Sequence, residues 1–506
     1  MTLLATANMA LLAGAPGGVD RLRKLIVDLA VSGKLIAATD IAAWPLVQLS
    51  ALVISCQNGV SSRGASVGRP VTVLRLADIR SGEVCLDDPR QLLLDEQTID
   101  KYLLADGDIL VIRVNGSADL VGRFIVHGES GGALHCDHFI RLRMDRSRIE
   151  PRFLKLVGDG SLTRQAIKGL FVSTAGQKTV NQGHIGSLAF PLPPIAEQCR
   201  IVAKVDELMT VCDRLEAQQQ GAEAAHAQLV QALLDSLTQA RDAADFRASW
   251  QRLAEHFHGL ITSEGSVDAL KQAILQCGCS GRLTRREVGF VEEPPARYLA
   301  HVVATPFDIP PSWHWVKLGD LCSMVTSGSR GWKEYYADQG STFIRSQDIK
   351  ADRLEFDQRA FVKLPANAEG SRTQVALHDI LITITGANVG KAAVLTERIA
   401  DAYVSQHVAL VRLRNPAYAA YIHRWLINSY GGRRLLLSSS YGAKPGLNLQ
   451  NIKDLPVPLP PLGEQHDIVS KIDKLMSLCD RLKSDIADCR RQHSQLAEIL
   501  VESALT

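Results

Sequence analysis

Phe190-Pro191-Leu192-Pro193-Pro194-Ile195-Ala196-Glu197-Gln198 occurs a second time, 267 residues later, as Val457-Pro458-Leu459-Pro460-Pro461-Leu462-Gly463-Glu464-Gln465. The stretch that follows, Ile201–Met209, also returns at the same spacing as Ile468–Met476. A period this long exceeds that of solenoid repeats and indicates a duplicated half-protein. The chain is therefore two copies of one design, which predicts a function that needs two copies of one thing.

A helical pattern follows each proline-rich motif, and its apolar-leaning positions step alternately by four and three residues. Such steps are the spacing of a coiled-coil seam. The seam comprises Ile201, Val205, Leu208, Cys212 and Leu215, then Leu229 and Leu233, in the first copy, and Ile468, Ile472, Leu475, Cys479 and Leu482, then Leu496 and Leu500, in the second. We predict two helices of roughly 40 residues, each about 60 Å long, that pair with each other and form a docking surface. His226 and His493 are equivalent seam positions, expected to fix the register by hydrogen bonding.

A shorter repeat links the starts of the two copies. Val19–Lys24 resembles Val267–Gln272, and Val31–Leu35 resembles Cys279–Leu283. The predicted order is a helical segment at 1–43, a globular block at 44–190, a long helix at 191–240, a helical connector and loop at 241–312, a second block at 313–457 and a second long helix at 458–506.

The two globular blocks show the pattern of mixed α/β structure. Short β-rich runs such as Ile109–Ile112 and Ile380–Ile384 lie among Gly, Asn, Asp and Ser turns. The blocks share local echoes but have otherwise diverged, whereas the helices have kept their sequence. This contrast indicates a common scaffold that carries two different ligand-binding surfaces.

Composition excludes several classes of protein. The chain is 46% hydrophobic and 22% charged with a net charge of +2, which is ordinary for a globular protein and excludes a strongly basic architectural DNA binder. Cys277-Gly278-Cys279 has no second half-site at zinc spacing, so no metal site is expected. The ten cysteines fit free thiols in a reducing compartment. No apolar run approaches the roughly 18 residues of a membrane span, so we expect a cytoplasmic protein without a membrane partner.

The sequence contains no complete catalytic motif. Thr385–Ala392 resembles a phosphate loop, but it has three residues between its glycines, and Ala392 occupies the position of the Ser or Thr magnesium ligand. Asp348 with Lys350 could belong to a nuclease site, yet the matching Asp78 is followed by Arg80 instead of lysine. We therefore predict no catalytic residues and expect Asp348 to be a framework carboxylate.

Polar loops at corresponding places in both blocks suit contacts with DNA. Glycine lets the backbone approach a phosphate, Ser and Thr donate to it, and Arg can also bind a guanine edge. The candidate DNA-binding residues are Ser62, Arg63, Arg69, Arg113 and Asn115 in the first block and Ser329, Arg330, Lys333, Lys444 and Asn448 in the second.

The whole arrangement resembles the specificity (S) subunit of type I restriction-modification systems. The resemblance rests on the twice-occurring Pro-Leu-Pro-Pro-x-x-Glu-Gln motif, the Cys-Asp-Arg-Leu helices and the Ser-Gly-Lys/Arg-Leu turns. It implies an α/β fold with two mixed α/β target recognition domains, joined by two long antiparallel helices in a coiled-coil pair with a pseudo-twofold repeat. Each domain would bind one half of a split double-stranded DNA sequence, while the helices set the spacing and hold two methyltransferase (M) subunits.

The same resemblance implies a non-catalytic subunit that binds no cofactor itself. S-adenosylmethionine would bind the M subunits, and ATP and magnesium would serve restriction (R) subunits. Two alternatives stay open from the sequence. One is a stand-alone or regulatory DNA-binding protein with the same architecture, and the other is a fused methyltransferase, which would need an adenosylmethionine motif that this sequence lacks.

Overall fold

The computed structural model of the chain describes residues 9–36, 44–61, 68–80, 82–128, 132–174, 176–284, 307–328, 331–365, 371–440 and 446–505. The chain divides into two compact units. Unit 1 comprises Met1–Ala222 with Cys489–Thr506, and unit 2 comprises Glu223–Asp488. Two helices of 44 residues each contribute to both units.

Unit 1 contains the first globular block. Its helices are α1 (Met9–Gly14), α2 (Gly18–Val31), α3 (Glu96–Tyr102), α4 (Pro151–Asp159), α5 (Ser161–Gly169), α6 (Gln182–Gly186) and the first part of α7 (Ile195–Thr238). Its strands are β1 (Leu46–Gln48), β2 (Val53–Asn58), β3 (Arg69–Leu74), β4 (Ile79–Arg80), β5 (Glu83–Val84), β6 (Gln91–Leu94), β7 (Ile109–Ile112), β8 (Val114–Asn115), β9 (Phe124–Val126), β10 (Leu134–His135), β11 (Phe139–Met144), β12 (Val172–Thr174), β13 (Gln177–Thr179) and β14 (Ala189–Pro191).

Unit 2 contains the second block and the connector. Its further helices are α8 (Ala243–Glu255), α9 (Phe257–Leu260), α10 (Glu264–Cys279), α11 (Leu318–Leu321), α12 (Ala419–Leu426), α13 (Gly432–Ser438), α14 (Leu449–Lys453) and most of α15 (Leu462–Leu505). Its strands are β15 (His314–Lys317), β16 (Cys322–Ser327), β17 (Tyr336–Ala337), β18 (Ser341–Ile344), β19 (Ile349–Lys350), β20 (Arg353–Leu354), β21 (Ala360–Val362), β22 (Ile380–Thr383), β23 (Ala392–Val394), β24 (Ala402–Val404), β25 (Val408–Leu413) and β26 (Pro456–Leu459).

Both blocks are built on an antiparallel four-stranded sheet. Its strand order is β2-β11-β7-β9 in the first block and β16-β25-β22-β23 in the second. A second sheet, β10-β3-β6 in the first block and β17-β21-β18-β24 in the second, covers one face of the first sheet. A two-stranded ladder pairs the first and last strands of each block, β1 with β14 and β15 with β26. This arrangement and the long helix confirm the predicted mixed α/β class.

The repeated Pro-Pro-x-x-Glu-Gln motif joins each block to its long helix. Gln198 and Gln465 are buried, and each Nε2 donates a hydrogen bond of 2.8 Å to the carbonyl oxygen of the first proline of its Pro-Pro pair, Pro193 or Pro460. The first backbone bonds of each helix go to the carbonyl of the second proline, Pro194 or Pro461, so the glutamine side chain supplies a donor to the carbonyl of the first. This bond explains why the motif recurs with its spacing intact.

The core of unit 1 unites the block with both long helices. Leu22, Leu25 and Leu29 on one face of α2 lie in the same buried cluster as Ile201 of α7 and Ala497 of α15. The cluster also includes residues of α4 and of the four-stranded sheet. The burial of this apolar area is the main stabilising contribution to the unit.

Unit 2 has a corresponding core beneath its block. Ile468 and Ile472 of α15 lie with Leu275 of α10 and with Trp313 and Trp425 of the block. Gly278 allows the close approach of α10, because a Cβ at that position would lie 2.6 Å from Cδ1 of Ile472. A separate cluster in the same unit joins the second part of α7 to Cys479.

The predicted seam residues are buried or half-buried in the first half of each helix and unevenly buried in the second, and their pairing across the two helices stays a prediction. Ile201, Val205, Cys212, Ile468, Ile472 and Cys479 are buried, and Leu208, Leu215, Leu475 and Leu482 are half-buried. Leu229 and Leu496, however, are 53% and 55% exposed, while the next residues, Val230 and Ala497, are buried. A strict seven-residue repeat drifts about 20° per heptad on a straight helix. The buried stripe therefore follows the 3.6-residue period, and it packs against α2 and α10 as well.

No helix within the described ranges combines the length and apolar character needed to span a bilayer.

Candidate nucleic-acid interface

The polar loops that the sequence suggests for DNA contacts connect to one end of each four-stranded sheet. In the first block β2 and β7 finish at the end where β11 and β9 begin, since Asn58 faces Ile140 and Ile112 faces Phe139. In the second block Ser327 faces Ala409 and Thr383 faces Val408 in the same way. We call these two places the loop ends of the first and second blocks. Side chains on loops at a strand end are free to bind a ligand while the sheet holds their positions.

At the first loop end the structure brings Arg113 and Asn115 together. Arg113 follows β7 directly, and its Nη1 donates to the carbonyl oxygen of Asp137 at 3.2 Å. Asn115 lies on β8, and its Oδ1 accepts from the backbone N–H of Ser117 at 2.9 Å, which leaves its amide donor available. Ser62 and Arg63 lie outside the described residues.

Arg69 does not join this group. Arg69 is the first residue of β3, and Leu74 is the last. It is Leu74 that lies near the loop end, because its carbonyl oxygen accepts a hydrogen bond of 3.1 Å from the backbone N–H of Cys136. Six strand residues separate the two places by about 17 Å. Arg69 instead forms an exposed ion pair with Glu96 at 3.1 Å.

The second loop end repeats the arrangement with other residues. The backbone N–H of Gly328 donates to Ser405 at 3.3 Å, and Thr385 forms a bridge with Gly446. Ser329, Arg330 and Lys444 lie outside the described residues. Only the backbone of Lys333 is described, in a 3₁₀ turn at Trp332–Tyr335.

Asn448 has a structural task. Its Oδ1 accepts from the N–H of Asn451 at 2.7 Å and so caps α14. In the first block the matching Asn181 caps α6 through the N–H of His184 at 2.8 Å. Only the remaining polar atoms of Asn448 can serve a ligand.

The carboxylate of Asp348 is part of the framework, as predicted. Asp348 is buried and accepts from the backbone and guanidinium of Arg345 at 2.8 and 3.0 Å. Asp78 makes the same bonds to Arg75. Burial opposes ionisation of Asp78, but the hydrogen bonds from Arg75 outweigh it and lower its pKa below the usual value. The repeated pair stabilises a turn in each block.

The sequence analysis missed residues of the β12–β13 hairpin. Gln177 and Lys178 lie 267 residues before Lys444 and Pro445, and they border the first loop end because β13 pairs with β8. Nζ of Lys178 donates to the carbonyl of Gly116 at 3.2 Å. The repeat spacing of 267 residues could have identified this hairpin, because subtracting it from the predicted loop around Lys444 gives the residues around Gln177.

Within the described part of the chain, one group of three potential metal ligands lies close together. Ligand atoms of Cys136, Asp137 and His138 are within 4.8 Å of one another. Burial raises the pKa of the Cys136 thiol to about 11, so the thiol is protonated at neutral pH and is a poor ligand as it stands. In the second block Ser405 and Gln406 replace the first two residues. Nδ1 of His138 instead lies 3.1 Å from a carboxylate oxygen of Asp137.

The long helices hold the short helical segments by the same bonds in both units. Nε2 of His226 donates to the carbonyl of Gly259 at 3.0 Å, and Nε2 of His493 donates to that of Leu11 at 2.9 Å. The histidines do hydrogen-bond, but to a short segment instead of to the opposite long helix. Charged pairs repeat too: Arg23 binds Asp213 at 2.7 Å, and the matching Lys271 binds Asp480.

The chain is similar to specificity subunits of type I restriction-modification systems. Residues 310–488 match the family described as Type I restriction modification DNA specificity domain. The chain is 37% identical to the type I restriction enzyme StySPI specificity subunit of Salmonella potsdam over 284 residues, which cover 54% of this chain and 59% of that protein. It is 26% identical to the type I restriction enzyme EcoEI specificity subunit of Escherichia coli across 96% of this chain and 94% of that protein.

A solved structure shares the fold. A chain from a study of complex assembly and conformational transition of the type I R-M system superposes with a TM-score of 0.54 at 18% identity. The superposition covers 91% of this chain and 97% of that chain.

Proposed function

We propose that the chain is a type I restriction-modification specificity subunit like the relatives that it matches, and that each of its blocks binds one half of a bipartite DNA target. The subunit itself carries out no catalysis. We place it in the cytoplasm, where its ten free cysteines would stay reduced.

One observation carries the proposal: the two loop ends share a backbone and differ in side chains. The backbone N–H of Val180 donates to Arg113 at 3.0 Å, and that of the matching Leu447 donates to Ile384 at 2.9 Å. Within this common frame the first block has half-buried Arg113, and the second has buried Ile384 at the corresponding place. The same backbone arrangement with different side chains suits two surfaces that bind DNA in the same orientation but contact different base sequences.

The helices give the proposal its second part. We infer that α7 and α15 form an antiparallel pair that sets the distance between half-sites and docks two M subunits. The ties of His226 to Gly259 and of His493 to Leu11 give each unit the same combination of long and short helices. Two equivalent surfaces of this kind favour two copies of one partner. R subunits would join the complex through the M subunits or beside them.

The chemistry would then belong to the partners. S-adenosylmethionine would bind the M subunits, and ATP with magnesium would act at the R subunits. This chain would contribute hydrogen-bond donors, acceptors and positive charge at the loop ends, which position DNA and discriminate bases.

The test is to co-express the chain with the M subunit encoded beside its gene and to sequence the methylome of the host. We expect modification at one asymmetric bipartite sequence and two M subunits per chain by native mass spectrometry. Replacing residues 313–457 with the corresponding block of a relative should change one half-site only. DNA binding without any M-dependent methylation would contradict the proposal and favour a stand-alone DNA-binding protein.

A further inference from the structure

The first block carries a small β-ribbon at its loop end. Strands β12 and β13 form a tight hairpin in which Val172 faces Thr179, Ser173 faces Lys178 and Thr174 faces Gln177. Gly176 adopts the left-handed conformation (φ 80°) that the turn requires. Strand β13 also pairs with β8, so the hairpin continues the framework that positions Asn115.

The outer residues of this ribbon have no internal role. Val172 is 53% exposed although its strand belongs to a sheet. Gln177 is exposed, and its side chain makes no hydrogen bond within the described ranges. Because cross-strand partners share a face, Val172 and Gln177 project from the same side of the ribbon. An exposed β-branched side chain and an unused amide on one face are unexplained by packing.

Hydrogen bonds to neighbouring segments fix the rest of the ribbon. Nζ of Lys178 donates to the carbonyl of Gly116 at 3.2 Å, and the N–H of Val180 donates to Arg113 at 3.0 Å. The face with Val172 and Gln177 is therefore held in place without being covered. A group that discriminates bases needs this combination of a fixed backbone and a free functional group.

The chemistry of that face matches one kind of ligand. The major groove of DNA admits a two-stranded β-ribbon, a glutamine amide pairs with the N6 and N7 atoms of adenine, and apolar groups contact the thymine methyl. We propose that the ribbon enters the major groove of the first half-site, where Gln177 binds an adenine and Val172 contacts a thymine methyl. This inference rests on the proposed function and adds specificity-determining residues to it.

The second block offers a different surface at the same place. Lys444 and Pro445 occupy the positions of Gln177 and Lys178. The second block therefore has no glutamine at the position of Gln177. The ribbon should therefore affect only the half-site that the first block binds, and the other half-site becomes an internal control.

The experiment compares three variants of the full chain, each co-expressed with its M subunit. Gln177→Ala should relax preference at one base pair of one half-site, with discrimination reduced roughly 5- to 150-fold. Gln177→Glu should shift preference at that same base pair towards cytosine, since a carboxylate accepts from the cytosine N4 amine. Gln251→Ala, at an exposed glutamine of α8 whose amide binds Glu255, is the matched control and should leave the methylome unchanged.

The outcomes separate the two levels of the proposal. If the unaltered chain directs no bipartite methylation, the proposed function fails and the ribbon proposal fails with it. If the unaltered chain does so and both Gln177 variants keep its base preferences, only the ribbon proposal is wrong. A uniform decrease at all sites would also overturn it, because a residue that discriminates bases must act at one position.

Discussion

His493 hydrogen-bonds through Nε2 to the carbonyl oxygen of Leu11 at 2.9 Å, and the two residues are 482 positions apart in the chain. The matching bond in unit 2 joins His226 to Gly259. Long helix and short segment are thus joined at one equivalent point in each unit. The histidines act as local structural ties whose loss can be measured separately in the two units.

Removing either histidine should destabilise its own unit. We expect His226→Ala and His493→Ala each to lower the free energy of unfolding by about 1 kcal/mol, the usual contribution of such a hydrogen bond. Since the two sites belong to different units, the effects should be additive in the double variant. Urea denaturation provides the measurement. His466→Ala, at an exposed position of α15, is the control, and an equally large effect there would contradict this role.

Two arginines of the first block should differ in their effect on DNA binding. Arg113→Ala should weaken binding and reduce the salt dependence by about one unit if it contacts a phosphate, or relax one base position if it contacts guanine. Arg69→Ala should leave affinity and salt slope nearly unchanged, because Arg69 lies at the far end of β3 and is paired with Glu96. Titration of target DNA at several salt concentrations tests this. Equal effects of both variants would show that the DNA-binding surface of the first block is not its loop end.

Buried histidines should make the chain sensitive to mild acid. Burial, with the Arg141 guanidinium nearby, lowers the pKa of His135 to about 4, and burial lowers that of His423 to about 4. An unfolded histidine titrates near pH 6.5, so unfolding takes up protons between about pH 6.5 and 4. Stability is therefore retained above this window and lost as the pH falls. From pH 7 to 5.5 each histidine should lower the free energy of unfolding by about 1 kcal/mol.

A variant can separate this effect by unit. The second block has buried Val404 at the position that matches His135. His135→Val should reduce the loss in unit 1, where burial also lowers the pKa of His127, and leave that in unit 2, where His423 remains. Pulsed hydrogen exchange in urea at both pH values would follow the units separately. An undiminished loss in unit 1 of the variant would show that other groups cause it.

Lengthening the long helices should change the DNA spacer and nothing else. The sequence suggests four extra residues after Leu215, which add roughly 6 Å of helix. The division of the chain at Ala222 and Asp488 suggests a better design, with four residues inserted after each of these positions so that both units keep their cores. At about 3.4 Å per base pair, the spacer in the methylome should grow by one or two positions. Altered half-site bases with an unchanged gap would refute this ruler.

Sequence reasoning succeeded where a pattern was repeated and local. The two long helices and the framework role of Asp348 followed from spacing and comparison of the copies. The exposure of Leu229 and Leu496 did not, because a heptad pattern does not reveal whether the helix supercoils to follow it. Arg69 illustrates a second limit: residues close to a loop in sequence can be a whole strand away from it in space. The hairpin with Gln177 was recoverable only by transferring the register of one copy to the other.

The closure of unit 1 by the last helix has a consequence for synthesis on the ribosome. Ala497 and Ala504 belong to the same core as Leu25 and Ile201. Translation must first produce the 266 residues from Glu223 to Asp488, which takes roughly 13 to 50 s at ordinary elongation rates. Throughout that interval the part of the core that Ala497 and Ala504 cover stays exposed, and unit 2 cannot complete its own core until Ile468 and Ile472 have been made. The nascent chain therefore has a built-in period in which chaperones or proteases have access to its earlier half.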